Sequence, residues 1–359
     1  MVNALILAVA SGWVLHVTLP AQPASSAMPP EITAGSPSTS PSPSTAPSPT
    51  PTATQRPVPL TVLTKADLLK VSTDRQHFGL STPRSPFNKS ELDRATSAAG
   101  IAPTLIEYFT KWTENYRPGA STACYARGAI PVISWEPWAG EQAGKDQPKY
   151  SLASIANGDH DAYITKFATA VRNDRRPIII RFAHEMNGIW YPWAEIHSGN
   201  HRGDYVQAWR HVHDVFNRIG ATNVIWVWSP NIVRPVPKVQ LAPLYPGDAY
   251  VDWIGMVGYG AHETTAGAVF DPTLQRMRAF TGKPVLITET ATQPLPSQPG
   301  WTADLFNWLK QHPDVVGFVW FEYNKAGATA DWRFSRDNAT RAAFRAGLAR
   351  TDLVPPLRY

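Results

Sequence analysis

Eight short apolar runs, set apart by longer amphipathic stretches, constrain this chain more than any other feature. They fall at His77–Leu80, Thr104–Phe109, Ile130–Trp135, Ile178–Ala183, Val224–Trp228, Trp253–Tyr259, Val285–Thr288 and Val315–Phe321. Most are β-branched or aromatic. Their apolarity is too continuous for strands with one wet face, so they read as strands buried on both sides. Between them lie helical patterns such as Asp161–Arg172, Gly203–Arg218, Pro272–Phe280, Thr302–Lys310 and Thr340–Ala349. Strand and helix alternating about eight times is the pattern of a (β/α)8 TIM barrel, with functional residues at the C-terminal ends of the strands. A doubly wound open sheet is the alternative. No glycine-rich turn of the dinucleotide or phosphate-loop type follows a first strand, which removes the main reason to choose it.

Residues 61–359 are therefore expected to form the barrel. Residues 28–60 are rich in Pro, Ser and Thr, with Glu31 and Arg56 as their charged residues. Such a mixture cannot bury a core and forms a disordered, extended spacer. Residues 1–27 begin with a mostly apolar stretch, Ala4–Pro20, followed by the small residues Ser25, Ser26 and Ala27. That suits a secretory signal peptide, although no Lys or Arg precedes Arg56 to supply a positive leader. A membrane anchor is the alternative, weakened by the short span and by Gly12 and His16. A segment that is neither stays open. The expected location is secreted or at the cell surface, with a wall or membrane tether possible through the linker.

The 33 Lys and Arg are scattered among 28 Asp and Glu, giving a net charge of +5 without a long basic run. That distribution argues against a nucleic-acid partner. Cys124 is the single cysteine, which excludes an intrachain disulfide and a four-cysteine zinc site. The chain is expected to act as a monomer, without a cofactor.

Two strand ends carry carboxylates. In the run from Arg176 to Gly188, a strand period of two places Arg181, Ala183 and Glu185 on one face, with small Ala183 leaving room beside the acid. In the run from Lys283 to Ala291, the same period places Val285, Ile287 and Glu289 on one face. Two glutamates facing one barrel mouth suit glycosidic hydrolysis, in which one carboxyl protonates the leaving oxygen while the other attacks or activates water. Their environments must then separate the two pKa values. A strand-end Glu in an ion pair with a nearby Arg is the structural alternative for either residue alone.

Aromatic residues crowd the same ends: Trp135, Trp138, Trp190, Tyr191, Trp193, Trp226, Trp228, Tyr259, Trp320 and Tyr323. Sugar rings stack their C–H faces on such side chains, so the cluster fits a saccharide cleft. Trp226, one period deeper than Trp228, reads as core. A metal centre is not expected: His184-Glu185 would open a zinc-protease motif only if a second His stood where Gly188 stands. His197, His201, His211 and His213 read as surface or loop residues.

The segment Arg181-Phe-Ala-His-Glu-Met-Asn-Gly-Ile-Trp-Tyr-Pro-Trp193 closely resembles the acid/base segment of glycoside hydrolase family 26, and Ile287-Thr-Glu-Thr-Ala291 resembles its nucleophile segment. Trp228-Ser-Pro-Asn231, Asp252-Trp-Ile-Gly255 with Tyr259, and Trp320-Phe-Glu-Tyr-Asn324 are similar to that family's other strand ends, so the resemblance runs from about His77 to Phe334. It implies a retaining barrel of the clan whose catalytic glutamates end strands four and seven. Glu185 would be the acid/base and Glu289 the nucleophile. His184 and Tyr259 would orient Glu289 and the sugar, Trp190, Trp228 and Trp320 would line the subsites, and Arg181 would join them in binding substrate.

The resemblance implies a polysaccharide substrate, with endo-β-1,4-mannanase the first activity and endo-β-1,3-1,4-glucanase the alternative; β-1,3-xylanase is a minority activity. Many of the mannanases have a His at the end of strand three, where this chain reads Ile133-Ser-Trp-Glu-Pro-Trp138. Glu136 would recognise sugar hydroxyls differently, which strengthens the glucan alternative. A noncatalytic carbohydrate-binding barrel is the rival of another class.

Overall fold

The computed structural model describes residues 59–261, 264–326 and 328–359. The expected leader and nearly all of the expected linker lie outside them. Among the described residues no helix is long and apolar enough to cross a membrane.

Eight parallel strands close into a barrel: β1 (His77–Ser81), β2 (Leu105–Lys111), β3 (Ile130–Glu136), β4 (Ile178–Phe182), β5 (Val224–Trp228), β6 (Trp253–Gly260), β7 (Val285–Thr292) and β8 (Val315–Phe321). The last pairs with the first, Leu80 standing beside Trp320. A closed barrel has no edge strand, and this settles the choice between barrel and open sheet.

The interior floor is a packed apolar cluster that includes Leu105, Ile130, Val132, Ile179, Ile225, Val227 and Leu286. Below it the two ends of the domain meet. Leu60–Thr61 pairs in parallel with Leu357–Arg358, and Val62, Leu68, Val354 and Leu357 join the interior cluster. Lys65 Nζ reaches Asp252 Oδ2 at 2.6 Å, and that oxygen also accepts from the Trp226 backbone at 2.8 Å. These contacts seal the end of the barrel away from the strand C-termini.

The alternate residues of each strand face outward, where Ile133, Trp135, Ile178, Ile180, Phe182 and Phe318 meet the apolar stripes of the helices. The helix Asp204–Ile219 shows why such stretches fold as they do. Tyr205, Ala208, Trp209, Val212, Val215 and Phe216 repeat at helical spacing and are all buried. Gly220 stops it in a left-handed turn at φ 78°, its N–H donating to the Asn217 carbonyl.

Observed helix bounds differ from the expected ones by a few residues, as where Gln298–Gln311 extends the expected Thr302–Lys310, and one helix differs most. The stretch read as beginning at Pro272 is helical from Ala266 to Arg278. Thr265 caps it by accepting from the Ala268 N–H at 3.1 Å, and Pro272 lies inside. The apolar stripe Val269, Phe270, Thr273 and Leu274 runs through the proline, so packing outweighs the missing hydrogen bond.

Toward the strand C-termini the interior turns polar, with Glu107, Ser134, Arg181, Ser229 and Thr288 all fully buried. The apolar floor is the platform on which these groups stand. Replacing Ile179 with Ala in that floor is expected to cost about 2–5 kcal/mol, because a close-packed cluster inside a closed barrel collapses poorly into the space left. Urea or thermal unfolding measures it; a loss below about 1 kcal/mol would show that the floor relaxes.

Candidate active site

The strand period alone does not deliver either carboxylate. Strand β4 ends at Phe182, and the chain then turns sharply, with Ala183 at φ 43° and Glu185 at φ 53°. Left-handed backbone at non-glycine residues costs about 1–3 kcal/mol each and persists only where surroundings enforce it. Here the Ala183 N–H donates to the Trp135 carbonyl at 3.1 Å, the Glu185 N–H to the Ser229 carbonyl at 2.7 Å, and the Tyr205 hydroxyl to the Ala183 carbonyl at 3.1 Å. The turn, rather than the alternation, aims Glu185.

Glu289 is likewise re-aimed. Ile287 belongs to the outer layer and Leu286 to the interior one, so Val285, Ile287 and Glu289 do not share a face. A register shift against both neighbouring strands, in which Val257 pairs with Glu289 after Met256 pairs with Ile287, turns Glu289 inward.

The result is a compact cluster. One oxygen of Glu185 and one of Glu289 lie within 4.8 Å of each other. Glu289 is held on both oxygens: Arg181 Nη1 donates to Oε1 at 2.5 Å and the Tyr259 hydroxyl to Oε2 at 2.8 Å. Glu185 receives the Trp190 indole N–H on Oε2 at 2.6 Å, while Arg181 Nη2 stays 3.9 Å from its Oε1. Gly188 makes the Trp190 contact possible, since a Cβ there would stand 2.5 Å from the indole ring. The single guanidinium thus favours Glu289. Burial pushes the Glu185 carboxyl up to about 8, and the negative charge of Glu289 adds to the effect.

Several expected site residues stand elsewhere. Arg181 is fully buried beneath the carboxylates, where it contacts Glu107, Ser134 and Glu289, so it positions the site from below and is out of reach of substrate. Trp228 faces the helices; its indole donates to the Leu244 carbonyl and its ring meets Tyr245 and Phe280 edge-on. Trp320 also faces outward, against Phe334 and Phe344. In both cases the residue lies inside its strand, where outward alternation decides its face. Trp226 is core, as expected, packed on Trp209 and Phe216.

His184 is fully buried; its Nε2 hydrogen-bonds the Tyr191 hydroxyl at 3.1 Å, and rings of Phe109, Tyr191 and Trp193 meet it edge-on. Its hydrogen bond is with Tyr191 and not with Glu289. Burial, with Arg181 nearby, holds its pKa well below the ordinary value, so the ring is neutral. His184, Glu185 and Glu289 each offer one possible metal ligand atom within 4.8 Å of the others. The Arg181 guanidinium already bonds Glu289 and approaches Glu185, and a fixed cation there repels a second one. Glu136 ends β3 and is buried, which pushes its carboxyl up to about 8.

Three residues escaped sequence reasoning. Glu107 sits inside β2 and accepts from Ser134 Oγ at 2.7 Å and Arg181 Nη1 at 3.1 Å. A lone acid within an apolar strand was the available signal. Asn231 receives the Asn187 amide on its carbonyl at 2.8 Å and donates its N–H to Asn187 Oδ1 at 2.9 Å, which fixes it beside Glu185. Trp332, whose ring centroid is 4.9 Å from that of Tyr259, lines the cleft with Glu185, Trp190, Asn231, Arg234 and Tyr259. Nothing periodic marks it. Trp320 supports it indirectly, its indole donating to the Trp332 carbonyl at 3.0 Å.

Fold and site together define a (β/α)8 barrel with a close carboxylate pair at the C-terminal ends of strands four and seven. The family model described as glycosyl hydrolase family 26 matches residues 129–291, from the start of β3 through Glu289, and the chain belongs to that family. Endoglucanase H of Acetivibrio thermocellus is 32% identical over 256 residues, covering 67% of this chain and 27% of that protein. A mannan endo-1,4-β-mannosidase of Bacillus subtilis is 29% identical over 203 residues, covering 48% of this chain and 55% of that protein. The chain thus matches about a quarter and about half of these two relatives. A solved β-mannanase from Bacteroides ovatus superposes with a TM-score of 0.61 at 17% identity, over 80% of this chain and 94% of that one, which speaks for the fold.

The raised pKa of Glu185 has a measurable consequence. Between its ordinary value of 4.5 and about 8 the folded protein holds a proton that the unfolded chain releases. Stability from this group is complete below that window and is lost as pH rises through it. Glu185→Gln, which keeps an oxygen for Trp190, is expected to be more stable than the parent near pH 8, with the difference vanishing near pH 4.5. Equal unfolding midpoints at both pH values would contradict it.

Proposed function

We propose that the chain is a retaining endo-β-glycanase that hydrolyses a β-linked polysaccharide, with Glu289 as nucleophile and Glu185 as acid/base. The observation that carries this reading is the carboxylate pair itself: two buried glutamates within 4.8 Å, one hydrogen-bonded to a cation at 2.5 Å and the other only in a looser 3.9 Å contact with it. Retaining hydrolysis uses carboxyl groups about 5–5.5 Å apart, whereas inversion needs about 6.5–9.5 Å to admit water.

In the first step the Glu289 carboxylate attacks the anomeric carbon while Glu185 gives its proton to the leaving oxygen. The C–O bond to the leaving sugar breaks and a covalent glycosyl-enzyme forms. Glu185, now a carboxylate, takes a proton from water, which attacks the same carbon and releases Glu289. Two inversions give net retention. Arg181 and Tyr259 support this sequence by donating to the two oxygens of Glu289 and so orienting it, and the elevated pKa of Glu185 supports it by keeping the acid protonated near neutral pH. Trp190, Tyr259 and Trp332 offer aromatic faces for the sugar rings on either side of the cut.

For the backbone, β-1,4-mannan is the first reading, supported by relatives named as mannan endo-1,4-β-mannosidases. A mixed-linkage β-1,3-1,4-glucan is the second. It is favoured by Glu136 at the end of β3 and by the broad match to a protein named endoglucanase. A polysaccharide substrate also fits export and tethering through the Pro/Ser/Thr-rich segment, with the barrel acting as a monomer.

Reducing-sugar release from galactomannan, glucomannan, barley mixed-linkage glucan and β-1,3-xylan tests the activity. The parent is expected to release sugar from mannan or barley glucan, and Glu289→Ala to lose at least about 10³-fold in kcat while its melting curve stays cooperative. Binding of these polysaccharides without product would replace the hydrolase with a carbohydrate-binding barrel. Inverted product configuration by NMR would remove the nucleophile.

A further inference from the structure

The carboxylates crowd round one cation. Arg181 contacts Glu107 at 3.1 Å, Glu289 at 2.5 Å and Glu185 at 3.9 Å. All four side chains are at most 7% exposed, so water does little to screen them. One guanidinium neutralises one carboxylate. Glu289 makes the shortest contact, which leaves Glu107 and Glu185 to be held neutral by protons.

Glu107 has no place in the hydrolytic sequence, since it lies below Arg181 and away from the cleft. Its Oε1 collects two donors, Arg181 Nη1 and Ser134 Oγ, and Ser134 Oγ in turn accepts from Arg181 Nη1 at 2.9 Å. Strands β2 and β3 thereby grip the same nitrogen that β4 presents to Glu289 on β7. Arg181 Nε and Nη2 have no hydrogen-bond partner among the described residues, so this Nη1 grip is what sets the plane of the guanidinium.

We propose that Glu107 is a positioning residue for the hydrolase: through Arg181 Nη1 it fixes the guanidinium against the nucleophile Glu289 and away from the acid Glu185. This rests on the glycanase reading. Glu107 does so as a neutral carboxyl. The groups that face it are Arg181 on β4, Glu289 on β7, Tyr259 on β6 and Tyr323 beyond β8. Burial, joined by the charge of Glu289, pushes its carboxyl up to about 8 against the opposing pull of Arg181 and Ser134. Its Oε2, free of partners among the described residues, is where the proton can sit while Oε1 keeps both donors. Were Glu107 ionised, it would compete with Glu289 for the cation.

The test compares Glu107→Gln with Glu107→Leu. Gln keeps an oxygen for Arg181 and Ser134 without a charge, and is expected to keep kcat within a few fold of the parent at neutral pH. Leu removes the acceptor, and kcat is expected to fall about 10²-fold with KM unchanged, since a misplacement of about 1 Å at a reacting group costs about that much. A Leu variant that melts like the parent and keeps its kcat overturns the proposal; so does a Gln variant that falls as far as Leu. Crystal structures of both variants test the geometry without an assay. Arg181 should leave Glu289 in the Leu variant and stay in the Gln variant, and an unmoved Arg181 in both overturns the proposal. A parent inactive on all four polysaccharides refutes the glycanase reading alone, because the variant structures still decide what Glu107 does to Arg181.

Discussion

The charge of Arg181, buried among carboxylates with little water to share it, is the interaction on which the site depends. An arginine in such a place is costly to desolvate and is retained only where several acceptors meet it. Here the acceptors come from different strands: Glu107 from β2, Ser134 from β3 and Glu289 from β7. None of these strands could supply the arrangement alone. Barrel closure brings them to one axis, and the apolar floor beneath keeps them at one height. The asymmetry follows directly, since a single cation close to Glu289 and farther from Glu185 makes two chemically identical side chains unlike each other.

Around that centre the strain and the aromatic residues serve the same end. The left-handed turn at Ala183 and Glu185 is unfavourable in isolation and is held by hydrogen bonds to Trp135, Ser229 and Tyr205. It lifts Glu185 off the strand and under the Trp190 indole. The register shift in β7 does for Glu289 what the turn does for Glu185. Many of the tryptophans hold loops and do not face the cleft. Trp193 donates to the His184 carbonyl at 2.6 Å, Trp320 to the Trp332 carbonyl and Trp228 to the Leu244 carbonyl. Their number reflects a rim of irregular loops that needs large rigid packing with a polar handle.

Much was legible in the sequence. The eight apolar runs marked all eight barrel strands, because burial on both faces leaves continuous β-branched and aromatic stretches. Glu185 and Glu289 were found at the ends of the fourth and seventh, together with Trp190 and Tyr259. The assignments of Trp228 and Trp320 as cleft residues failed for one physical reason: a residue near a strand's end faces in or out by alternation, and composition does not say which. Arg181 was placed at the mouth, whereas its inward position one layer down makes it a support. Glu107 and Trp332 were passed over, the first as an acid embedded in an apolar strand and the second because it lies in a loop without periodicity.

Local chemistry therefore determined the strands, most of the helices and the identity of the two carboxylates, since periodicity, end signals and residue type are carried by neighbours in the chain. Tertiary structure decided which way each side chain points and which charges share one buried space. Those properties depend on barrel closure, on a strained turn and on a register shift. Each arises from contacts between segments far apart in sequence: 74 residues separate Arg181 from Glu107, and 108 separate it from Glu289. No local pattern encodes such distances, because they are fixed only when the eight strands have closed.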